Sequence, residues 1–286
     1  MKSEYLTFGE IIQKSTVFLE GKGVPSAKLD SEWIISHSVG IARMELYLRF
    51  NELVPLDKIS EIRDRIVKRG TRVPLQHVLK SVQFCDLELK SDKRALVPRP
   101  ETERLVEIAV SKLSKAFNGE IVDLGTGSGA IILSLCHHLP NASGLGLDNS
   151  IDAISLAKEN STNLKLSDRV QFCTYDWMDK KDIGEVFDVL ISNPPYLSES
   201  EWLSSQPEVK SFDPKNALVS GNNGMDHLRH ISAISSNILK KDGLIFLEVG
   251  KGQAIEVVEM LGGDFKEIEV LKDFSGIRRF VIGKRN

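Results

Sequence analysis

Apolar residues in the first part of the chain recur at helical spacing. Phe8, Ile11, Ile12, Phe18 and Leu19 line up with Ser15 on one helical face, and Ile59, Ile62 and Ile66 form another. Leu29 with Trp33, and Met44 with Leu48, predict helices between them, and Gly21, Gly23 and Pro25 separate the first helix from the second. The pattern predicts a small helical bundle over residues 1–75. From 82 to 97 the period shortens, and Phe84, Leu87 and Leu89 predict an extended hairpin inside a linker spanning 76–97. Beyond Glu120 short apolar runs alternate with helical stretches. Residues 121–124, 144–147, 169–173, 187–192 and 243–249 read as strands, and 130–135, 151–160, 225–240 and 253–261 as helices. Residues 267–271 and 278–282 predict a closing antiparallel pair. This alternation predicts an α/β fold for residues 98–286, built on a Rossmann-like, mostly parallel sheet.

The first candidate for chemistry lies between the first of these strands and its helix, at Gly125-Thr126-Gly127-Ser128-Gly129. Strand, glycine loop and helix open a nucleotide-binding βαβ unit, and glycines let backbone approach a ligand closely. The spacing G-x-G-x-G is not the dinucleotide fingerprint, and no lysine follows as in a phosphate-binding loop, so pyrophosphate recognition is not favoured. Taken alone, the loop favours a cofactor role over its alternative, a tight turn packing strand on helix. The next strand ends in Asp148, about 20 residues on, where this architecture places a ribose-hydroxyl acceptor. Asp148 alone also reads as the N-cap of the helix that follows.

The second candidate is Asn193-Pro194-Pro195-Tyr196, directly after the apolar run Phe187–Ser192. Two consecutive prolines cannot extend a ladder, because neither has an N–H, so they stiffen a strand-end loop. Pro194 also biases Asn193 away from helical geometry. The product is a rigid platform carrying one amide and one aromatic ring, which suits holding a planar N–H2 group while its nitrogen reacts. Alone it also fits a structural turn. Order and separation on successive strands argue for both motifs together.

Asp-x-Gly-x-Gly-x-Gly from Asp123, Asp148 and the later Asn-Pro-Pro-Tyr resemble an S-adenosylmethionine-dependent methyltransferase acting on a planar amino or amide nitrogen. More narrowly, the chain resembles the glutamine N5-methyltransferases of peptide chain release factors, the PrmC/HemK family. That match uses residues 72–79 (Arg-Val-Pro-Leu-Gln-His-Val-Leu), 96–103 (Leu-Val-Pro-Arg-Pro-Glu-Thr-Glu) and 212–218 (Phe-Asp-Pro-Lys-Asn-Ala-Leu). Residues 243–250 and 272–276 fit it too, so nearly the whole chain is covered. One departure is visible: the family usually has a glycine soon after the Gln-His pair, where this chain reads Leu79-Lys80-Ser81.

The resemblance implies the residue roles. Gly125, Thr126, Gly127, Ser128 and Gly129 lie under the methionine portion of S-adenosylmethionine, Asp123 serves its ammonium, Asp148 its ribose and Trp177 its adenine. Trp177 by itself reads as plain core nearly as well. Asn193 and the Pro194 carbonyl accept the two N–H groups of the substrate amide, Tyr196 stacks on the amide plane, and Pro195 completes the substrate contact. Asn193 also borders the cofactor. The helical bundle is expected to recognise the protein substrate, its blander alternative being an accessory packing module. Arg99 and Glu101 read as a cap, a hinge ion pair or part of the site rim. Glu248 reads as a group orienting its neighbours. His77, His137 and His138 lack partners at catalytic or metal spacing and read as structural, so no metal is expected.

Composition narrows the partners. A formal charge of -3 gives no basic field for a nucleic-acid duplex. Residues 1–75 hold 12 Lys/Arg against 10 Asp/Glu, a balance of +2 that leaves -5 for the rest. Three widely spaced cysteines, Cys85, Cys136 and Cys173, form neither a metal pair nor a disulfide framework and read as buried apolar fillers in reduced cytosol. Lys2, Glu4, Glu10 and Lys14 argue against a secretory leader, and no apolar run reaches the length of a membrane span. A cytoplasmic monomer with release factors as substrate is the expectation. Rival readings are a methyltransferase of ribosomal-protein glutamine or of nucleic-acid amino groups, and a non-catalytic cofactor-binding scaffold.

Overall fold

The computed structural model describes residues 5–179, 183–184, 186–221 and 223–286, so Lys2 and Glu4 lie outside the described residues. Contacts divide the chain into two compact units. One runs to Ser81 and takes in Pro207–Phe212; the other holds Val82–Gln206 and Asp213–Asn286.

The first unit is built on α1 (Phe8–Gly21), α2 (Ala27–Val39), α3 (Glu45–Leu48), α4 (Leu56–Gly70) and α5 (Leu75–Leu79). A capping box starts α1: Thr7 accepts from the Glu10 N–H while the Glu10 carboxylate accepts from the Thr7 N–H. Leu19, Ile34, Ile35, Leu46 and Ile62 are buried in the core. Beside it Arg69 Nε donates to Asp30 Oδ2 at 2.7 Å and Arg69 Nη2 to Glu208 Oε1 at 3.0 Å. Charges this buried destabilise unless each is paired, and these are.

The departure from the family pattern falls at the end of α5. Lys80 sits there in the left-handed region with φ +63, the conformation that favours glycine. A side chain in that region costs roughly 1–2 kcal/mol, partly offset by the extra unfolded-state freedom a glycine would bring. Lys80→Gly is therefore expected to raise unfolding free energy by up to about 1 kcal/mol. Urea denaturation checks this, and a destabilised variant would show that the turn does not depend on left-handed geometry.

The second unit opens with a hairpin of β1 (Ser81–Phe84) and β2 (Leu87–Lys90), shorter than the expected 82–97. Its turn residues Cys85 and Asp86 have φ of +46 and +67, the sign pattern of a two-residue type I′ hairpin loop. Then follow α6 (Pro100–Lys112), β3 (Glu120–Leu124), α7 (Ala130–His138), β4 (Ser143–Asp148), α8 (Ile151–Asn163), β5 (Val170–Thr174) and β6 (Phe187–Ser192). After α9 (Glu199–Ser204) the chain gives α10 (Pro207–Phe212) to the first unit, and then come α11 (Asp226–Ile238), β7 (Leu239–Glu248), α12 (Ala254–Leu261), β8 (Phe265–Lys272) and β9 (Arg278–Arg285).

Seven strands form one sheet in the order β5-β4-β3-β6-β7-β9-β8. Neighbours from β5 to β7 are parallel, and β9 pairs antiparallel with both β7 and β8. One core joins α6, α7 and α8 to one face through Leu105, Ile132 and Ile154, and the other packs α11 and α12 through Ile231 and Val257. Gly144 in β4 permits the close fit of α7, since a Cβ there would come within 2.6 Å of the Ile132 side chain.

The structure departs from the expected elements in three respects. The helix expected to reach 240 ends at Ile238, and the strand expected from 243 starts at Leu239, because Leu239 is buried and pairs with Phe187 across the ladder. The short helices α9 and α10 bury no residue, so no apolar period announced them. Of the three cysteines only Cys136 is buried: Cys85, in the β1–β2 turn, is half-buried, and Cys173 is exposed because the alternation on β5 turns Phe172 inward and Cys173 outward.

Candidate active site

Strands β3 and β6 lie side by side with Leu124 opposite Ser192, so the loops after them emerge together. Ser192 Oγ donates to the Leu124 carbonyl at 2.6 Å and ties the two ends. β4 and β5 lie to one side of this pair and β7 to the other, which makes it the point where the sheet reverses direction and where open α/β sheets bind ligands.

In the loop after β3, Gly125, Gly127 and Gly129 take φ of +76, +55 and +82, a path closed to most side chains. The Gly125 and Thr126 N–H groups donate to the Leu147 carbonyl at 2.8 and 2.9 Å. Gly127 N–H donates to Asp148 Oδ2 at 2.9 Å, and Ser150 N–H to Asp148 Oδ1 at 2.9 Å. The N-cap of α8 is Ser150, whose hydroxyl accepts from the Ala153 N–H, so Asp148 is not spent on capping. Each of its oxygens keeps a lone pair for a further donor. Burial pushes the Asp148 carboxyl upward against the pull of those backbone N–H groups.

Asp123, at the floor of the loop, is inaccessible to solvent. Its Oδ2 accepts from Thr126 Oγ1 at 2.7 Å, while Oδ1 has no partner. Burial pushes this carboxyl up to about 7. A buried carboxylate oxygen without a donor is costly, and a ligand ammonium, directly or through water, would satisfy it. A glycine cradle, an orphaned acceptor at its base and a carboxylate beside it fit the methionine and ribose parts of S-adenosylmethionine.

Trp177 is only 4% exposed and its ring reaches Gly125, with Cη2 3.3 Å from where a Cβ would stand there. His227 meets it edge-on at 6.1 Å between centroids. Trp177 Nε1 has no partner. The tryptophan thus packs in the α11 core and also borders the cleft. That cleft, with a cavity volume of about 70 Å³, is lined by Gly125, Gly127, Asp148, Trp177, Asn193 and Pro195 from the residues expected on sequence. A wider hollow against α8, beside Lys90, Lys158 and Glu159, has neither the glycine backbone nor an aromatic wall.

The tetrad is held from behind. Asn193 Nδ2 donates to Thr102 Oγ1 at 3.0 Å, and Thr102 Oγ1 donates to Glu248 Oε2 at 2.8 Å. Tyr196 OH donates to Glu248 Oε1 at 3.2 Å, and the Arg279 guanidinium lies 5.8 Å from the Tyr196 ring centroid. Glu248 is 1% exposed, and burial pushes its carboxyl up to about 7. Burial beside Glu248 also pushes the Tyr196 phenol upward. Gln253 Nε2 donates to the Tyr196 carbonyl at 3.0 Å and to the Gly224 carbonyl at 3.2 Å, fixing the loop.

The remaining expected site residues stand outside the cleft wall. Thr126 and Ser128 are buried under the loop, Gly129 is the N-cap of α7, and Pro194 is buried. Tyr196 turns its hydroxyl to Glu248. Arg99 Nη2 pairs with Asp213 Oδ2 at 2.7 Å, and Glu101 is exposed in the first turn of α6. His77 is buried in the first unit, and His137 and His138 end α7. Among the described residues no group of three His, Cys, Asp or Glu is arranged to hold a metal ion.

Sequence reasoning missed Thr102, Ala95, Leu96, Asn216 and His227, which border the cleft or its supports. A signal existed for Leu96, Thr102 and Asn216, which lie inside the stretches that carried the family resemblance. None existed for Ala95 or for His227, whose Nδ1 lies 2.8 Å from Ser220 Oγ.

Residues 10–79 match the PrmC N-terminal domain family, and residues 104–206 the methyltransferase small domain family. The release factor glutamine methyltransferase of Rhodopirellula baltica is 34% identical over 282 residues, covering 96% of this chain and 95% of that protein. The release factor glutamine methyltransferase of Deinococcus radiodurans is 34% identical over 276 residues, covering 96% of this chain and 98% of its own. Among solved structures, a methyltransferase from Pyrococcus furiosus superposes with a TM-score of 0.51 at 14% identity, over 79% of this chain and 98% of that one. The 16S rRNA N2 G1207 methyltransferase of T. thermophilus, in complex with AdoMet and guanosine, gives 0.51 at 16% identity, over 72% of this chain and 50% of that one. At these identities the two structures establish the methyltransferase fold.

Proposed function

The chain belongs to the release factor glutamine methyltransferase family, and from that premise we propose that it methylates the side-chain nitrogen, N5, of glutamine in the Gly-Gly-Gln motif of peptide chain release factors, with S-adenosylmethionine as donor. The observation that carries this reading is the orientation of Asn193. Its Nδ2 is spent on Thr102, which leaves Oδ1 as a free acceptor beside the glycine loop.

A glutamine amide nitrogen shares its lone pair with its carbonyl, the resonance behind the roughly 18–20 kcal/mol rotation barrier of a peptide bond. It is a poor nucleophile unless that density is returned to it. Asn193 Oδ1 and the Pro194 carbonyl accept its two N–H bonds, polarise them toward nitrogen and fix the plane of attack. S-adenosylmethionine, once held there, would supply an electrophilic methyl on its sulfonium, and sulfur would keep the bonding pair. The extra proton leaves nitrogen for water after transfer, so no strong base is required. Tyr196, braced by Glu248 and Arg279, backs the amide plane. Positioning of this kind contributes up to about 7–11 kcal/mol in well-oriented reactions, and fixed dipoles act on the charge that develops.

Asp148, Trp177, Gly125 and Gly127 take the ribose, adenine and methionine parts, and Asp123 the ammonium. We assign recognition of the factor to the helical unit at residues 1–75, and the reaction to the cytoplasm. Among the described residues no helix is long and apolar enough to cross a membrane.

The test is incubation with labelled S-adenosylmethionine and, separately, a purified release factor, DNA and tRNA. Label on the glutamine of the Gly-Gly-Gln loop is expected. Label confined to DNA or tRNA would overturn the substrate assignment.

A further inference from the structure

We infer that Thr102 and Glu248 are positioning residues that decide which end of the Asn193 carboxamide faces the reacting nitrogen, the ionised Glu248 selecting the acceptor end. The inference rests on the role given to Asn193 above and adds a control over it.

The oxygen and nitrogen of a carboxamide have nearly the same shape, so packing alone does not choose between the two orientations of Asn193. Only hydrogen-bond polarity does. Thr102 Oγ1 stands between Asn193 Nδ2 at 3.0 Å and Glu248 Oε2 at 2.8 Å, and it owns a single proton. An ionised carboxylate accepts only, so it takes that proton, and the Thr102 lone pair then accepts from Asn193 Nδ2. Oδ1 is left facing the cleft. The other carboxylate oxygen is already engaged by Tyr196 OH at 3.2 Å. A proton on Glu248 therefore resides on Oε2 and points at Thr102. The threonine hydrogen is then released from the carboxylate and is able to donate to Asn193, which allows Oδ1 to turn inward and N–H2 to face a substrate that itself offers N–H2. In that orientation donor meets donor, and the amide is not held.

The groups around Glu248 set when this happens. Tyr196 and Thr102 donate to it, Arg279 on β9 attracts its charge, and Glu101 on α6 repels it. Burial outweighs these, placing the change at about 7. The relay crosses three elements: Thr102 from α6, Glu248 from the end of β7 and Asn193 from the end of β6. A buried carboxylate with no role would be a liability at that strand end.

The experiment compares the wild-type protein with Thr102→Ser, Thr102→Val and Glu248→Gln by two readouts on either side of pH 7. The first is turnover on the release factor. Wild-type turnover should fall about tenfold for each pH unit below its midpoint, since only the ionised form is productive. Thr102→Ser should keep that acid limb. Measured at saturating S-adenosylmethionine, so that the Asp123 titration does not enter, Thr102→Val and Glu248→Gln should lose about 10- to 100-fold at alkaline pH, the weight of a hydrogen bond to a charged group, with flat pH profiles and nearly unchanged affinity for S-adenosylmethionine. The second readout needs no turnover: the side-chain N–H2 resonances of Asn193 in a nitrogen-labelled protein. They should titrate with the same midpoint in wild type and Thr102→Ser, and stop titrating in Glu248→Gln. An acid limb that survives in both Thr102→Val and Glu248→Gln overturns the relay, as does an Asn193 signal blind to pH in the wild type. Titrating Asn193 resonances in a protein that leaves release factors unlabelled would uphold the relay and sink the proposed substrate.

Discussion

Replacing Asn193 with alanine is expected to lower kcat by about 100- to 1,000-fold, the range found when one preorganised hydrogen-bonding group is removed from an active site. The cofactor dissociation constant should barely move. Asn193 stands at the junction of the cleft and the relay from Thr102, and its truncation removes the acceptor that returns electron density to the substrate nitrogen. The loop itself should persist, because its rigidity comes from Pro194, Pro195 and the bonds from Gln253 to the Tyr196 and Gly224 carbonyls, none of which involves the Asn193 side chain. A loss in kcat with an intact fold is therefore the signature of transition-state work and not of collapse. Single-turnover rates with calorimetric binding of S-adenosylmethionine measure both quantities. Turnover near the wild-type value in Asn193→Ala would remove the basis of the mechanism. Asn193→Asp is the informative companion: it keeps an oxygen toward the cleft but loses the Nδ2 donor to Thr102, and it sets a second acid two hydrogen bonds from Glu248.

How far the sequence revealed this site depends on what each residue contacts. The glycine loop, Asp148 and the Asn-Pro-Pro-Tyr platform were legible because their chemistry is local: positive φ, a strand-end carboxylate and two missing N–H groups are properties of neighbours in the chain. β3 and β6 were legible as apolar runs, whereas their adjacency comes from the strand order of the fold. Thr102 was marked only by its place in a stretch that carried the family resemblance, because a threonine in the first turn of a helix by itself reads as a capping or solvent-facing group. Its partners are 91 and 146 residues away along the chain, and only the fold brings them together. Glu248 was read as an orienting group from its place at a strand end, but its partners could not be named without the fold. The β1–β2 turn illustrates the opposite failure. Cys85 and Asp86 occupy a turn that usually draws Asn-Gly, so residue chemistry gave no sign of it even though the hairpin itself was expected.

Replacing Asp148 with alanine should weaken S-adenosylmethionine binding by about 100-fold or more, since a carboxylate accepting from ligand hydroxyls contributes about 1.5–3 kcal/mol per hydrogen bond. Two losses combine. The ribose acceptor goes, and so does the partner of the Gly127 N–H, which Asp148 Oδ2 holds at 2.9 Å. The second loss slackens the cradle itself. Asp148→Asn separates them, because it keeps an oxygen for one backbone N–H but gives up the charge and one acceptor; it should fall between wild type and alanine. A smaller effect runs the other way. The Asp148 charge helps raise the Asp123 carboxyl, so its removal lowers the Asp123 pKa and lets that carboxylate meet a ligand ammonium more fully ionised. The gain cannot offset the loss, since burial is the larger cause of the Asp123 shift and is untouched. Calorimetry across neutral pH should therefore show a dissociation constant far weaker in Asp148→Ala and less dependent on pH than in the wild type. An unchanged constant would place the ribose elsewhere and leave the glycine loop as a packing turn.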